Sequence, residues 1–220
     1  MTRTGTRTDT ADETDGTGPR LTRKGLATRG RIVAAAADLM FERGVAGTST
    51  DDVRAAAGVS TSQIYHYFTD KNALIRAVIA HQTDAVLDAQ EPLLSRLDSM
   101  AALRAWRDLV VDLQRQRHCE GGCPIGSLAS ELSEGDPQAR ADLVDGFARW
   151  EGAIRDGLHA MRDRGDLRAD ADPERLALAT LAALQGGLLL TQMRRETAPL
   201  EAALDSMLDI IERWTVTTAG

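Results

Sequence analysis

The chain is short of the residues that staple, kink or anchor a protein. Its two cysteines, Cys119 and Cys123, are too few for a disulfide framework. Six prolines and 4% aromatics, beside many Ala and Leu, point to helices. Residues 1–20 hold no apolar core, so no secretory signal is read there and a cytoplasmic location is expected. Charge of one sign also runs short: the net charge is −7, which argues against a general polyanion binder but allows a local basic surface. One uncharged run, Leu176 to Met193, reaches the lower limit for a membrane span. Thr180, Gln185, Thr191, Gln192 and the Gly186–Gly187 pair interrupt it, so it reads as a buried helix and no membrane partner is expected.

What is present is 220 residues, 43% hydrophobic and 27% charged, enough for a real core in one compact domain or in a small one joined to a larger. Residues 1–22 are rich in Thr with Gly and Asp and read as a disordered leader. Arg20, Arg23, Lys24, Arg29 and Arg31 then form a basic cluster without an acid. Residues 1–68 carry nine basic and eight acidic groups, whereas residues 69–220 carry 17 and 25. Positive potential therefore sits near the start.

Apolar residues recur at helical spacing nearly throughout, so the fold class is all-α, with about nine helices. The spacing predicts a first helix over about 26–43, stopped by Gly44, and short ones from about 50 to 57 and from Ser60. A longer helix starts after Thr69 or Asp70, and Pro92 ends or bends it. Further helices are expected over about 98–118, from the Gly121–Pro124 break to Ser133, and over 137–164, 173–194 and 197–215.

Thr50 to Phe68 has the layout of a helix-turn-helix. Val53, Ala56 and Ala57 face inward, Gly58 makes the turn, and Ile64 and Phe68 anchor the second helix. Ser60 and Gln63 form a capping box. Thr61, Ser62, Gln63, Tyr65, His66 and Tyr67 are left wholly or partly outward, with no acid among them. Such an edge offers donors and acceptors to base edges and nothing to repel phosphates, as a helix in the major groove requires. Gln63 suits adenine unless its own cap occupies it, and Lys71 adds a phosphate contact beside a helix N-terminus. Asp51 and Asp52 belong to the N-terminus of the first short helix, where acids are stabilising. The same pattern also fits the corner of an ordinary helical hairpin; the basic cluster, Arg29 included, favours DNA.

Residues 29–76, from RGRIVAAAADLMFERG to TSTDDVRAAAGVSTSQIYHYFTDKNALIR, closely resemble the N-terminal domain of the TetR family of bacterial repressors. The AAGVS turn, the IYHYF helix end and the Asp-Lys-x-x-Leu opening of the fourth helix carry the resemblance. It implies a three-helix DNA-binding head over 23–70 and a helical effector-binding and dimerisation domain over 71–220. It also implies a homodimer on a double-stranded operator, with contacts from Thr50, Thr61, Ser62, Gln63, Tyr65, His66, Tyr67 and Lys71. The family often has Gly where Ser62 stands. GCPIGSLASEL from Gly122 and ALQGGLLLTQMRRETAPLEAALD from Ala183 resemble the LmrA/YxaF-like branch, which implies control of efflux or small-molecule response genes.

Two heads on a pseudo-palindrome are also required physically, since one head reads a single half-site. Leu181, Leu184, Gly187, Leu188 and Leu189 on one of the last two helices and Leu200, Leu204, Met207, Leu208, Ile211 and Trp214 on the other are the expected dimer contacts, against the alternative of a hairpin within one chain. Trp106, Phe147, Trp150 and Ile154 recur at core spacing. With His118, Cys123, Ser127 and Gln185 they are candidates to line a cavity for a small, mainly apolar effector. A Cys119/Cys123 thiol switch is an alternative, with Cys123 expected near a helix N-terminus that lowers its pKa. A remoter rival is a cysteine enzyme using Cys123 with His118 or His159. No enzyme motif, cofactor or metal site is expected.

Overall fold

The computed structural model describes residues 22–216. The leader, Arg20 included, lies outside the described residues, except that Thr22 caps the first helix. Nine α-helices follow: α1 Arg23–Arg43, α2 Thr50–Ala57, α3 Thr61–Tyr67, α4 Lys71–Asp88, α5 Met100–Gln116, α6 Pro124–Leu132, α7 Pro137–Asp163, α8 Pro173–Arg194 and α9 Ala198–Glu212. A 3-10 turn at Leu94–Arg96 joins α4 to α5. Among the described residues the nearest thing to a sheet is one isolated bridge between Leu167 and Thr215.

The boundaries have local chemical causes. Every helix but α9 begins at a residue whose side chain accepts a first-turn N–H: Thr22, Ser49, Ser60, Asp70, Ser99, Cys123, Asp136 and Asp172. Pro stands in the first turn of α6, α7 and α8, where its missing N–H costs nothing. The Thr22 cap starts α1 three residues before the position that periodicity suggested. Beyond α5, His118 and Cys119 take φ of 53° and 57°, and Gly121 and Gly122 take 79° and 62°. This left-handed run turns the chain sharply into α6.

One hydrophobic cluster runs from Ile32 on α1 to Ile211 on α9. α4 packs on both α1 and α7, α6 lies on α4 and α7, and α8 lies between α7 and α9. Each large apolar side chain buried in this way contributes about 1.5–3 kcal/mol. At the surface, Arg107 holds Asp205 through two hydrogen bonds of 2.7 Å, and Arg115 holds Glu201 at 2.7 Å, fastening α5 to α9.

Several expected site residues belong to this core instead. Leu181, Leu184, Gly187, Leu188, Leu204, Leu208 and Ile211 are buried within a single chain, where α8 and α9 form a hairpin. A side chain at Gly187 would collide with Leu200, so this glycine serves close packing of α8 on α9 inside one protomer. Trp106 and Ile154 are fully buried and line neither chamber of the cavity described below. The Trp106 indole N–H donates to Gln90 Oε1 at 2.8 Å in the interior.

Trp106→Phe should cost about 2–4 kcal/mol by urea unfolding, because it leaves the Gln90 carbonyl unpaired as well as a void. A loss below about 0.5 kcal/mol would show that this buried pair does not hold the core.

Candidate nucleic-acid interface and effector cavity

Two capping boxes shape the helix-turn-helix. The Ser49 hydroxyl accepts from Asp52 N–H, and the Asp52 carboxylate accepts from Ser49 N–H. The hydrogen bond from the Ser49 hydroxyl holds the Asp52 carboxyl below its ordinary range. Ser60 and Gln63 repeat the pattern at α3, with Ser60 N–H donating to Gln63 Oε1 at 2.8 Å. Between them Gly58 adopts φ 63° and ψ 41°, the left-handed turn that favours glycine. Val53, Val59, Ile64 and Phe68 bury the inner side of the motif.

The outer edge of α3 is the expected one. Thr61, Ser62, Gln63 and His66 are exposed, and Tyr65 is 58% exposed. Tyr67 is half-buried and meets the His66 ring edge-on at 4.8 Å. Thr50 is half-buried in the first turn of α2. Gln63 has its carbonyl engaged in the cap and its amide nitrogen available, so the two-bond adenine contact requires release or sharing of that cap. Ser62 shares a 2.9 Å hydrogen bond with Ser60.

Two expected phosphate contacts also have partners within the chain. Lys71 donates its ammonium to the Val45 carbonyl at 3.0 Å, which ties it to the α1–α2 turn. Arg29 stacks over the Phe68 ring at 5.2 Å and lines a hollow with Arg76 and Arg149 between α1, α4 and α7. The flat guanidinium finds an aromatic face beside its own helix, which spacing along the chain does not reveal.

Val45 is gripped from both sides. Its carbonyl accepts from Lys71, and its N–H donates to Glu131 Oε2 at 2.8 Å. Glu131 lies in the last turn of α6, far away in sequence. At the other end of α6, Gly121 sits directly under the Phe41 ring of α1, with no room for a side chain. Both ends of α6 thus touch the end of α1. The sequence marks Glu131 in one respect: an acid near a helix C-terminus opposes the helix dipole and needs another reason to be there.

The face of α6 away from this joint borders a cavity of about 360 Å³. Cys123, Ser127, Phe147 and Gln185 come together in its wall, as expected. Trp150 instead lines a neighbouring chamber of about 40 Å³, and the Cys123 side chain borders both spaces. His118 is exposed and lines neither chamber. Gln114 was missed, although it falls in step with the buried α5 stripe of Leu103, Trp106 and Val110 and lines the small chamber. The Cys123 thiol is pushed up, not down: burial disfavours the thiolate more than the hydrogen bond from Gly126 N–H favours it. The helix N-terminus is real, but desolvation outweighs it, so the thiolate on which a redox switch depends is disfavoured.

An all-helical chain with a capped helix-turn-helix and a cavity behind it defines a class, the DNA-binding regulators. Comparison with known proteins agrees. Residues 32–78 match the family "Bacterial regulatory proteins, tetR family", and residues 99–207 match "Tetracyclin repressor-like, C-terminal domain". The HTH-type transcriptional repressor DhaR of Mycobacterium sp. (strain GP1) is 26% identical, over 83% of this chain and 91% of its own. The regulator TtgR of Pseudomonas putida is 26% identical, over 84% and 91%. A TetR transcriptional regulator from Chloroflexus aurantiacus superposes with a TM-score of 0.75 at 28% identity, covering 88% of this chain and 98% of that one. The chain belongs to the TetR family of transcriptional regulators. All three relatives are named as transcriptional regulators or repressors. The finer LmrA/YxaF-like assignment is not confirmed.

Glu131→Ala should leave the Val45 N–H without its partner, costing about 1–3 kcal/mol and speeding exchange of that amide by about tenfold or more. Unchanged exchange at Val45 would show that the carboxylate does not hold the turn.

Proposed function

We propose that the protein is a homodimeric repressor that binds a pseudo-palindromic operator and is released by a small, mainly apolar effector. The observation that carries this reading is the outward edge of α3, rich in hydrogen-bonding side chains and without a carboxylate, on a motif locked by two capping boxes. In this reading residues 23–70 form the DNA-binding unit and residues 71–220 the effector-binding and dimerisation unit. α4 packs against both, so it forms the joint. The working place is the cytoplasm, where DNA is.

The second copy would dock on the exposed side of α8, to which Leu189 alone of the expected leucine contacts on that helix belongs. Leu178, Leu189 and Met193 on α8 are 56%, 57% and 71% exposed, and Ile210 on α9 is exposed as well. With Ala182 and Gly186 they form one stripe at steps of three and four along α8. Apolar exposure of this kind along one helix, with Ile210 exposed on the next, favours a partner with the same face.

The effector would act through α6. A ligand seated against Cys123, Ser127 and Phe147 that favours another position of α6 loosens the hold of Glu131 on Val45 and shifts the two α3 helices out of register. Its differential affinity for the two states sets how far the balance moves.

The upstream DNA of its own gene should be bound specifically and with strong salt dependence in an anisotropy titration. Tyr65→Ala should weaken that binding about tenfold or more while the dimer persists. Equal affinity for unrelated DNA at physiological salt would overturn the proposal. Separately, Met193→Arg should convert dimer to monomer by light scattering and abolish tight operator binding; a persisting dimer would remove the α8 stripe from the interface.

A further inference from the structure

We infer that the cavity beside Cys123 is built for a neutral molecule with an apolar ring body and a hydroxyl head, and not for an ion. The inference rests on reading this cavity as the effector site and goes on to name the ligand's chemistry.

Among the described residues, four buried side-chain atoms lack a hydrogen-bond partner: Thr83 Oγ1, Gln114 Oε1, Trp150 Nε1 and Gln185 Nε2. Three of them belong to side chains around the two chambers that share Cys123: Gln114 and Trp150 at the smaller, and at the larger Gln185, whose amide has only the weakly accepting Cys123 thiol beside it. Buried polar groups are nearly always paired, because leaving one unmet costs most of its desolvation. Three unmet groups gathered at one cavity indicate that the missing partner enters the cavity.

Their chemistry describes that partner. Trp150 and Gln185 offer N–H donors, and Gln114 offers an acceptor. A ligand oxygen accepts from the former, and a hydroxyl hydrogen goes to the latter. Charge is disfavoured, because no Asp, Glu, Lys or Arg stands in the wall of the 360 Å³ chamber. Arg117, beside the small chamber, is exposed to solvent and screened by it. Phe147 and Leu189 supply apolar surface for a ring. The 40 Å³ chamber has room for one water or one oxygen-bearing group, not for the ligand body.

The test compares 4-ethylphenol, ethylbenzene and 4-ethylbenzoate by calorimetry on the full chain without DNA. 4-Ethylphenol should bind about tenfold tighter than ethylbenzene, and 4-ethylbenzoate should bind weakest. Gln185→Leu should cut the preference for the phenol about fivefold, and Trp150→Phe should do the same while keeping a ring in place. Circular dichroism and thermal unfolding establish that each variant folds, and either folded variant suffices. Ethylbenzene binding as tightly as the phenol, the benzoate binding tightest, or a preference unchanged in both variants would overturn the inference and leave the cavity reading intact. Binding of none of the three would overturn both. The DNA titration of the same preparation stands or falls independently.

Discussion

The relation between the cavity and the DNA-facing edge depends on how the Val45 peptide is held. Lys71 at the start of α4 takes its carbonyl, and Glu131 at the end of α6 takes its N–H. Hydrogen bonds to charged groups are worth about 1.5–3 kcal/mol each, so the two together are large against the total stability of a domain. They act on a turn that leads directly into α2, and the packing of α2 against α3 fixes where Tyr65 and His66 project. The turn has no hydrophobic bulk of its own beyond Val45. Its position is therefore set by charges supplied from two distant elements, one of which lines the cavity.

Charge is partitioned to suit such a device. The recognition edge carries hydroxyls, an amide, an imidazole and a phenol, while most of the surplus acid lies beyond residue 68. An acidic body repels DNA wherever it approaches without the α3 edge leading, which favours one orientation of encounter. The acids close to the motif are spent locally. Asp52 caps α2, Asp70 caps α4, and Asp51 pairs with Arg54 at 3.3 Å. Their negative charge is thus matched by N–H dipoles or a guanidinium close by.

Much of the fold was legible because its causes are local. Gly58, Ser49 and Ser60 set the helix-turn-helix to within a residue, since caps and left-handed turns act over three or four positions. The Pro-led starts of α6, α7 and α8 were equally clear. What the sequence hid was which side of an apolar helix meets its own chain. Leu184 and Leu189 look alike in composition, but one is fully buried and the other is exposed. The partners that Arg29 and Lys71 choose were illegible for a related reason. Those partners lie on other elements, and a long charged side chain chooses among several neighbours only once packing has fixed the distances. Cys123 shows a competition between two effects of known sign, whose winner is decided by burial, a tertiary property.

The apolar character of α8 on nearly every side follows from the number of surfaces it serves. One face packs on α7 and another on α9, Gly186 and Leu189 border the cavity, and Leu178 and Met193 face outward. A helix with a single buried face would be strongly amphipathic, but no direction is left on α8 for a continuous charged stripe. The same geometry links assembly to ligand entry. Leu189 and Gly186 lie both in the cavity wall and on the exposed stripe, so in the proposed dimer the second copy covers the outer wall of the cavity. A ligand that fills the space then presses on α6 from one side and on the subunit contact from the other. In the proposed dimer, binding energy would reach the paired α3 helices by both routes without any helix unfolding.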